Sequence, residues 1–232
     1  MYSFFFDDIL IYSIDWDTHL QHLEMVLQTL QQHQLYAKLS KCSFGLLQID
    51  YLGHVVSANG VQMEPSKIAT ILNWPTPVNV KLLRGFLGIT GYYPRFIHHY
   101  ANLAHPLTEL LMKENFHWST EAQLAFEKLK SVMVTAPVLQ LPDFSKPFVL
   151  ETDASGIGIG AILSQQSHPI AYFSKKLSPR MQQQLAYVRE LFAVTEAVTK
   201  FRHYLLGHPF IIKTDQQALK HLCQQTIQTP EQ

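Results

Sequence analysis

The sequence predicts a multidomain chain of the α+β / α/β class, and three observations carry that prediction. Short runs of strand formers separated by turn residues dominate the first 62 residues. Apolar residues at helical spacing then take over to about residue 134. After Pro147 strand-like runs return, interrupted by one long amphipathic stretch, which is the pattern of a mixed sheet with helices.

The elements follow in order. Phe4-Phe5-Phe6 and Ile9-Leu10-Ile11-Tyr12 flank Asp7-Asp8, a hairpin with two acids at its bend. Leu20, Leu23, Leu27 and Leu30 recur at helical spacing, with Asp17 or Thr18 as the cap. A second hairpin is predicted over 51–61, turning at Asn59-Gly60. Trp74-Pro75-Thr76-Pro77 interrupts the chain before helices at about 79–91, 100–112 and 119–134. Pro137, Pro142 and Pro147 bracket a predicted extended linker, since each proline disfavours helix in the residue before it. Strands are predicted at 148–153, 156–164 and 170–174, joined by short loops as an antiparallel meander. A single helix over 181–206 follows, with Tyr187, Leu191, Val194, Val198, Phe201 and Leu205 as its apolar stripe and Gly207 ending it. The strand at 210–214 is reached through that helix and should pair in parallel. A last short helix is predicted from Gln216.

Bulk properties narrow the function classes. The 232 residues are 47% hydrophobic, enough to build cores. Lys+Arg and Asp+Glu balance at 18 each, so any attraction for nucleic acid must come from local patches. Arg84, Arg95, Lys175, Lys176, Arg180 and Arg202 are the candidates for such patches. Cys42 and Cys223 form no metal-spacing motif and fit a reduced, intracellular setting, in cytoplasm or nucleus. No apolar run approaches the roughly 20 residues that span a bilayer, and no membrane partner is expected. The N-terminus has no basic lead or cleavage site of a signal peptide. None of the 12 histidines forms a metal-binding helix pair. His98-His99 and His203 read as packing or solvated residues, with phosphate contact as the alternative.

Two groups of acids carry the chemistry. Asp7 and Asp8 repel one another when ionised, and a bound cation relieves this best. Hard oxygen ligands favour Mg²⁺, with Mn²⁺ as an alternative. A solvated turn is the competing reading, because Asp is common in turns. Asp153 ends the first strand after Pro147, Asp215 ends the fourth, and Glu190 stands on the long helix beside Leu191. If those strands are neighbours and the helix crosses them, the three carboxylates converge at one end of the sheet. Taken separately they read as a turn residue, a helix N-cap and a solvated helix residue.

The wider strings resemble a known family. Phe5-Phe6-Asp7-Asp8-Ile9-Leu10-Ile11-Tyr12-Ser13 is similar to the aromatic-x-Asp-Asp motif of reverse transcriptases, in the form found in gypsy-type LTR retrotransposon Pol polyproteins. His19-Leu20 and His22-Leu23 resemble the helix after that motif, and Ala37-Lys38-Leu39-Ser40-Lys41-Cys42-Ser43-Phe44-Gly45 its lysine-bearing loop. Tyr51-Leu52-Gly53-His54 with Gly60-Val61 resembles the primer-grip hairpin. Leu83-Arg84-Gly85-Phe86-Leu87-Gly88 through Arg95-Phe96 resembles the thumb and connection. The strings around Asp153, Gly158-Ile159-Gly160, Pro169–Ser174, Glu190 and Lys213-Thr214-Asp215 resemble the retrotransposon RNase H domain.

The resemblance implies a partial reverse-transcriptase palm over 1–62, a helical thumb-like region over 63–115 and a connection helix with linker over 116–145. A truncated RNase H-like mixed sheet with helices would occupy 146–232. It implies that Asp7 and Asp8 hold catalytic metal, that Lys41 assists the pyrophosphate leaving group, and that Asp153, Glu190 and Asp215 bind Mg²⁺ or Mn²⁺. The implied partners are an RNA–DNA hybrid or primer-template, read by shape and 2′-hydroxyls, and the remaining parts of Pol.

Departures bound the expectation. The family's palm carries another metal-binding aspartate and a fingers region before the double-Asp motif, whereas here Met1 stands six residues before Asp7. The family's fourth RNase H acid lies well after the third, and Glu231 is too close to Asp215 to match it. Gln216 replaces the usual histidine and Pro94 the usual arginine. No polymerase activity and weak or no hybrid cleavage are expected from this chain alone. The alternative is a catalytically dead transposon relic that retains at most nucleic-acid binding.

Overall fold

A computed structural model describes residues 2–112 and 116–216. The chain divides into two compact units, Met1–Leu52 and Gly53–Gln232.

In the first unit, β1 (Tyr2–Phe5) and β2 (Asp8–Ile11) form an antiparallel hairpin with Phe5 opposite Asp8. Phe6 takes φ +51 in the two-residue turn, where a left-handed first position matches the twist of the flanking strands. Helix α1 (Trp16–Gln32) is capped by Asp15, not by Asp17 or Thr18 as predicted. Asp15 is extended and its carboxylate accepts hydrogen bonds from the Thr18 N–H (2.8 Å) and hydroxyl (2.9 Å), so Thr18 is the cap's partner. A 3-10 turn at Leu39–Lys41 and strand β3 (Gln48–Tyr51) follow.

The second unit opens with the hairpin β4 (His54–Ser57) and β5 (Gly60–Met63). Its turn is Ala58-Asn59, one residue earlier than predicted, and Gly60 starts the return strand with φ +128. Helix α2 (Pro65–Leu72) is not among the predicted elements. At eight residues it is too short for a clear period, although Pro65 stands at its favoured first position. Then come α3 (Val80–Thr90), capped by Asn79, α4 (Tyr100–Leu110), and α5 (Thr120–Val134), capped by Ser119. Their shared core includes Ile71, Leu83, Phe86, Leu107, Phe126 and Leu129, with Phe86 and Phe126 ring centroids 4.5 Å apart. Trp74 and Trp118 pack against it.

The predicted linker is extended but does not run free. Leu139 is fully buried and exchanges two 2.8 Å backbone hydrogen bonds with Val61, while the Gln140 N–H donates to the Pro169 carbonyl.

The sheet after Pro147 has the strand order β8-β7-β6-β9. Strands β6 (Phe148–Ala154), β7 (Gly158–Gln165) and β8 (His168–Lys176) form the predicted antiparallel meander, and β9 (Phe210–Lys213) lies parallel to β6. The predicted single helix over 181–206 is instead three pieces: α6 (Pro179–Gln182), α7 (Ala186–Lys200) and α8 (Arg202–Leu205). Leu185 becomes extended (ψ 151) and separates α6 from α7, and Phe201 leaves helical geometry to enter the core. The buried face of α7 is Glu190, Ala193, Val194 and Ala197, rotated from the predicted stripe because small alanines let the helix approach the sheet. The helix predicted from Gln216 lies outside the described residues.

Strand β8 serves both sides. Ala171 and Phe173 enter the sheet–helix core, and Lys175 pairs with Glu196 of α7. On the alternate positions, Tyr172 packs against the core of the helical region, Ser174 accepts the Ala101 N–H, and Lys176 pairs with Glu109 of α4.

Candidate metal centre

Strand pairing assembles the site. Asp153 lies near the end of β6, Asp215 two residues beyond the parallel neighbour β9, and Glu190 on the buried face of α7. One ligand oxygen from each of the three lies within 4.8 Å of the others. The expected convergence of Asp153, Glu190 and Asp215 is therefore present.

Glu190 is only 6% exposed. Its Oε1 accepts the Ala154 N–H at 3.1 Å, and its Oε2 is buried with no hydrogen-bond partner among the described residues. Burial pushes its pKa up to about 7, and the charges of Asp215 and Asp153 push in the same direction against the Ala154 hydrogen bond. A buried carboxylate oxygen with neither donor nor water-facing surface is a costly arrangement. A divalent cation among the three acids would relieve it, and an all-carboxylate donor set suits Mg²⁺ or Mn²⁺.

The sequence does not mark one neighbour of this site. His99, in a left-handed conformation (φ +54) before α4, places Nε2 3.7 Å from Asp153 Oδ2. Its ring occupies the space above Gly160, the residue paired with Asp153 on β7. Asn102 fills the corresponding space above Gly158. The Gly-x-Gly spacing signals a slot on one face of the strand but not which side chain enters it.

The other candidates stand differently. Asp7 and Asp8 are exposed at the hairpin tip, and Lys41 is exposed at the end of its 3-10 turn. Among the described residues no hydrogen bond or ion pair joins Lys41 to either acid. Lys175 and Lys176 are both ion-paired rather than presented together as a phosphate patch.

A sheet with three strands antiparallel and a fourth parallel, crossed by a helix bearing a buried acid, defines the RNase H-like class. Residues 118–212 match the family described as RNase H-like domain found in reverse transcriptase. Residues 1–56 match reverse transcriptase (RNA-dependent DNA polymerase). The chain is 41% identical over 220 residues to the retrovirus-related Pol polyprotein from transposon 297 of Drosophila melanogaster, covering 94% of this chain and 21% of that protein. It is 36% identical over 223 residues to the transposon Tf2-3 polyprotein of Schizosaccharomyces pombe, covering 93% of this chain and 17% of that protein. The foamy viral protease-reverse transcriptase, solved in complex with RNA/DNA hybrid, superposes with a TM-score of 0.84 at 22% identity, over 99% of this chain and 33% of that one. The chain thus carries a stretch matching the reverse transcriptase family and a stretch matching the RNase H-like family, and these relatives are retrotransposon Pol polyproteins. It spans about a fifth of the length of those relatives.

Proposed function

We propose that the chain is a segment of a gypsy-type LTR retrotransposon Pol. It would run from the double-Asp hairpin of the polymerase palm, through a thumb-like and connecting helical region, into an RNase H-like domain. Its best-supported activity is cleavage of the RNA strand of an RNA–DNA hybrid at Asp153, Glu190 and Asp215. The observation that carries this reading is the buried Oε2 of Glu190, unpartnered among the described residues, within a cluster of three acids.

In this reading the two strand-end aspartates and Glu190 hold a pair of divalent ions. When bound, such a pair activates water and stabilises the leaving 3′-oxygen. The chain's own part is to fix the donors. The Ala154 N–H orients Glu190 through Oε1 and leaves Oε2 for the ions, while Asp153 and Asp215 face the solvent side from which a backbone phosphate arrives. Asp7 and Asp8 are proposed as metal-binding acids of the polymerase palm and Lys41 as its leaving-group lysine.

The test is Mg²⁺-dependent cutting of a labelled RNA strand annealed to DNA, beside the same RNA annealed to RNA. Slow cutting of the hybrid alone, abolished by Asp153→Asn, is expected. Cutting that survives Asp153→Asn would overturn the assignment. Hybrid binding with neither cutting nor ion binding would support a dead relic instead.

A further inference from the structure

We infer that His99, supplied by the helical region, is a positioning residue of the Asp153–Glu190–Asp215 site, a role that rests on the metal-binding reading above. The ring is held by several independent restraints. Its backbone is left-handed, an uncommon state for a residue with a Cβ. The His98 ring lies against it with centroids 3.7 Å apart. Its Nδ1 lies against Gly160, where a Cβ would come within 2.7 Å. The adjoining turn of α4 is tied to the sheet by the Ala101 N–H bond to Ser174 Oγ (2.9 Å) and the Asn102 amide bond to Ser155 Oγ (3.4 Å).

Nδ1 is buried with no partner among the described residues, so an N–H is assigned to Nε2, which faces Asp153. At 3.7 Å this contact is longer than a hydrogen bond. The Asp153 side chain, however, is 53% exposed and free to turn, whereas the ring is not. A small rotation brings Oδ2 onto Nε2 and leaves Oδ1 for an ion. His99 is not a fourth ligand: among the described residues the only group with mutual ligand spacing is Asp153, Glu190 and Asp215. It acts through Asp153, as outer groups that orient ligating carboxylates do.

The experiment measures Mn²⁺ binding to the full 232-residue chain by electron paramagnetic resonance, alongside urea unfolding of the metal-free protein. Wild type should bind Mn²⁺ and Asp153→Asn should lose that binding. His99→Gly removes the ring and also relieves the left-handed strain. It should weaken Mn²⁺ binding by about tenfold while leaving the unfolding midpoint unchanged or raised. His99→Gln, which keeps a donor on a side chain of similar length, should recover most of the affinity. Binding unchanged in His99→Gly, or equally weak in His99→Gln, overturns the inference and leaves the metal site standing. A wild-type chain that binds no Mn²⁺ overturns both.

Discussion

Glu190 links chemistry to stability at the scale of one residue. Its pKa in the folded chain, about 7, lies above the ordinary 4.5. Between those values the folded protein keeps a proton that the unfolded chain has released, so stability falls as pH rises through the window and levels off above it. The loss is on the order of 3 kcal/mol. With chelator present, Glu190→Gln should unfold at higher urea concentration than wild type above pH 7, and the gap should close near pH 4.5. Equal stability at both pH values would show that the carboxyl is not desolvated. The acids of this site were legible as two aspartates at strand ends and a glutamate on the long helix. The burial of Glu190 was not, because the stripe drawn through large apolar residues gave no weight to Ala193 and Ala197. His99 was legible only as a histidine, since its role depends on a slot made by a glycine 61 positions away.

At the scale of elements, the well-periodic pieces were readable and the irregular ones were not. Helices α3, α4 and α5 and the three-strand meander lie where apolar spacing and proline placed them. The split of 181–206 into three pieces escaped the reading because neither Leu185 nor Phe201 is a helix breaker by composition; tertiary packing ends the helix there. Likewise Pro137 and Pro142 foretold extension, but the bridge from Leu139 to Val61 depends on a hairpin far away in sequence. That bridge yields a sharp expectation. A Cβ on Gly60 would come 2.2 Å from the Leu139 carbonyl oxygen, on a backbone with φ +128. Gly60→Ala should therefore destabilise the second unit by about 3 kcal/mol, measured by urea unfolding. A change within about 0.5 kcal/mol, the usual range of surface substitutions, would mean that the linker at Leu139 is not held against Val61.

For the molecule as a whole, the two acidic groups differ in how much of their surroundings these residues supply. Asp153, Glu190 and Asp215 come from three elements of one unit, whereas Asp7 and Asp8 stand exposed on a single two-stranded hairpin. Two adjacent carboxylates on one turn do not position two ions, a nucleotide and a primer end. These 232 residues expressed on their own are expected to incorporate no dNTP on a primed template, in a filter or gel assay that detects a single addition. Incorporation would show that the hairpin suffices. The family resemblance was readable along the chain because motif order is written in sequence, whereas the way the helical region meets the sheet is a property of packing.

Strand β8 carries that packing, and it constrains how such a protein diversifies. From Ala171 to Lys176 its odd-numbered side chains answer to the sheet–helix core and α7 and its even-numbered ones to the helical region, so each substitution series on one strand is judged by two unrelated sets of neighbours. A recombination that joined this RNase H-like domain to the helices of another element at the proline-rich strap would inherit Tyr172, Ser174 and Lys176 without the surfaces they fit. Crossovers that survive should carry residues 53–216 as one heritable block.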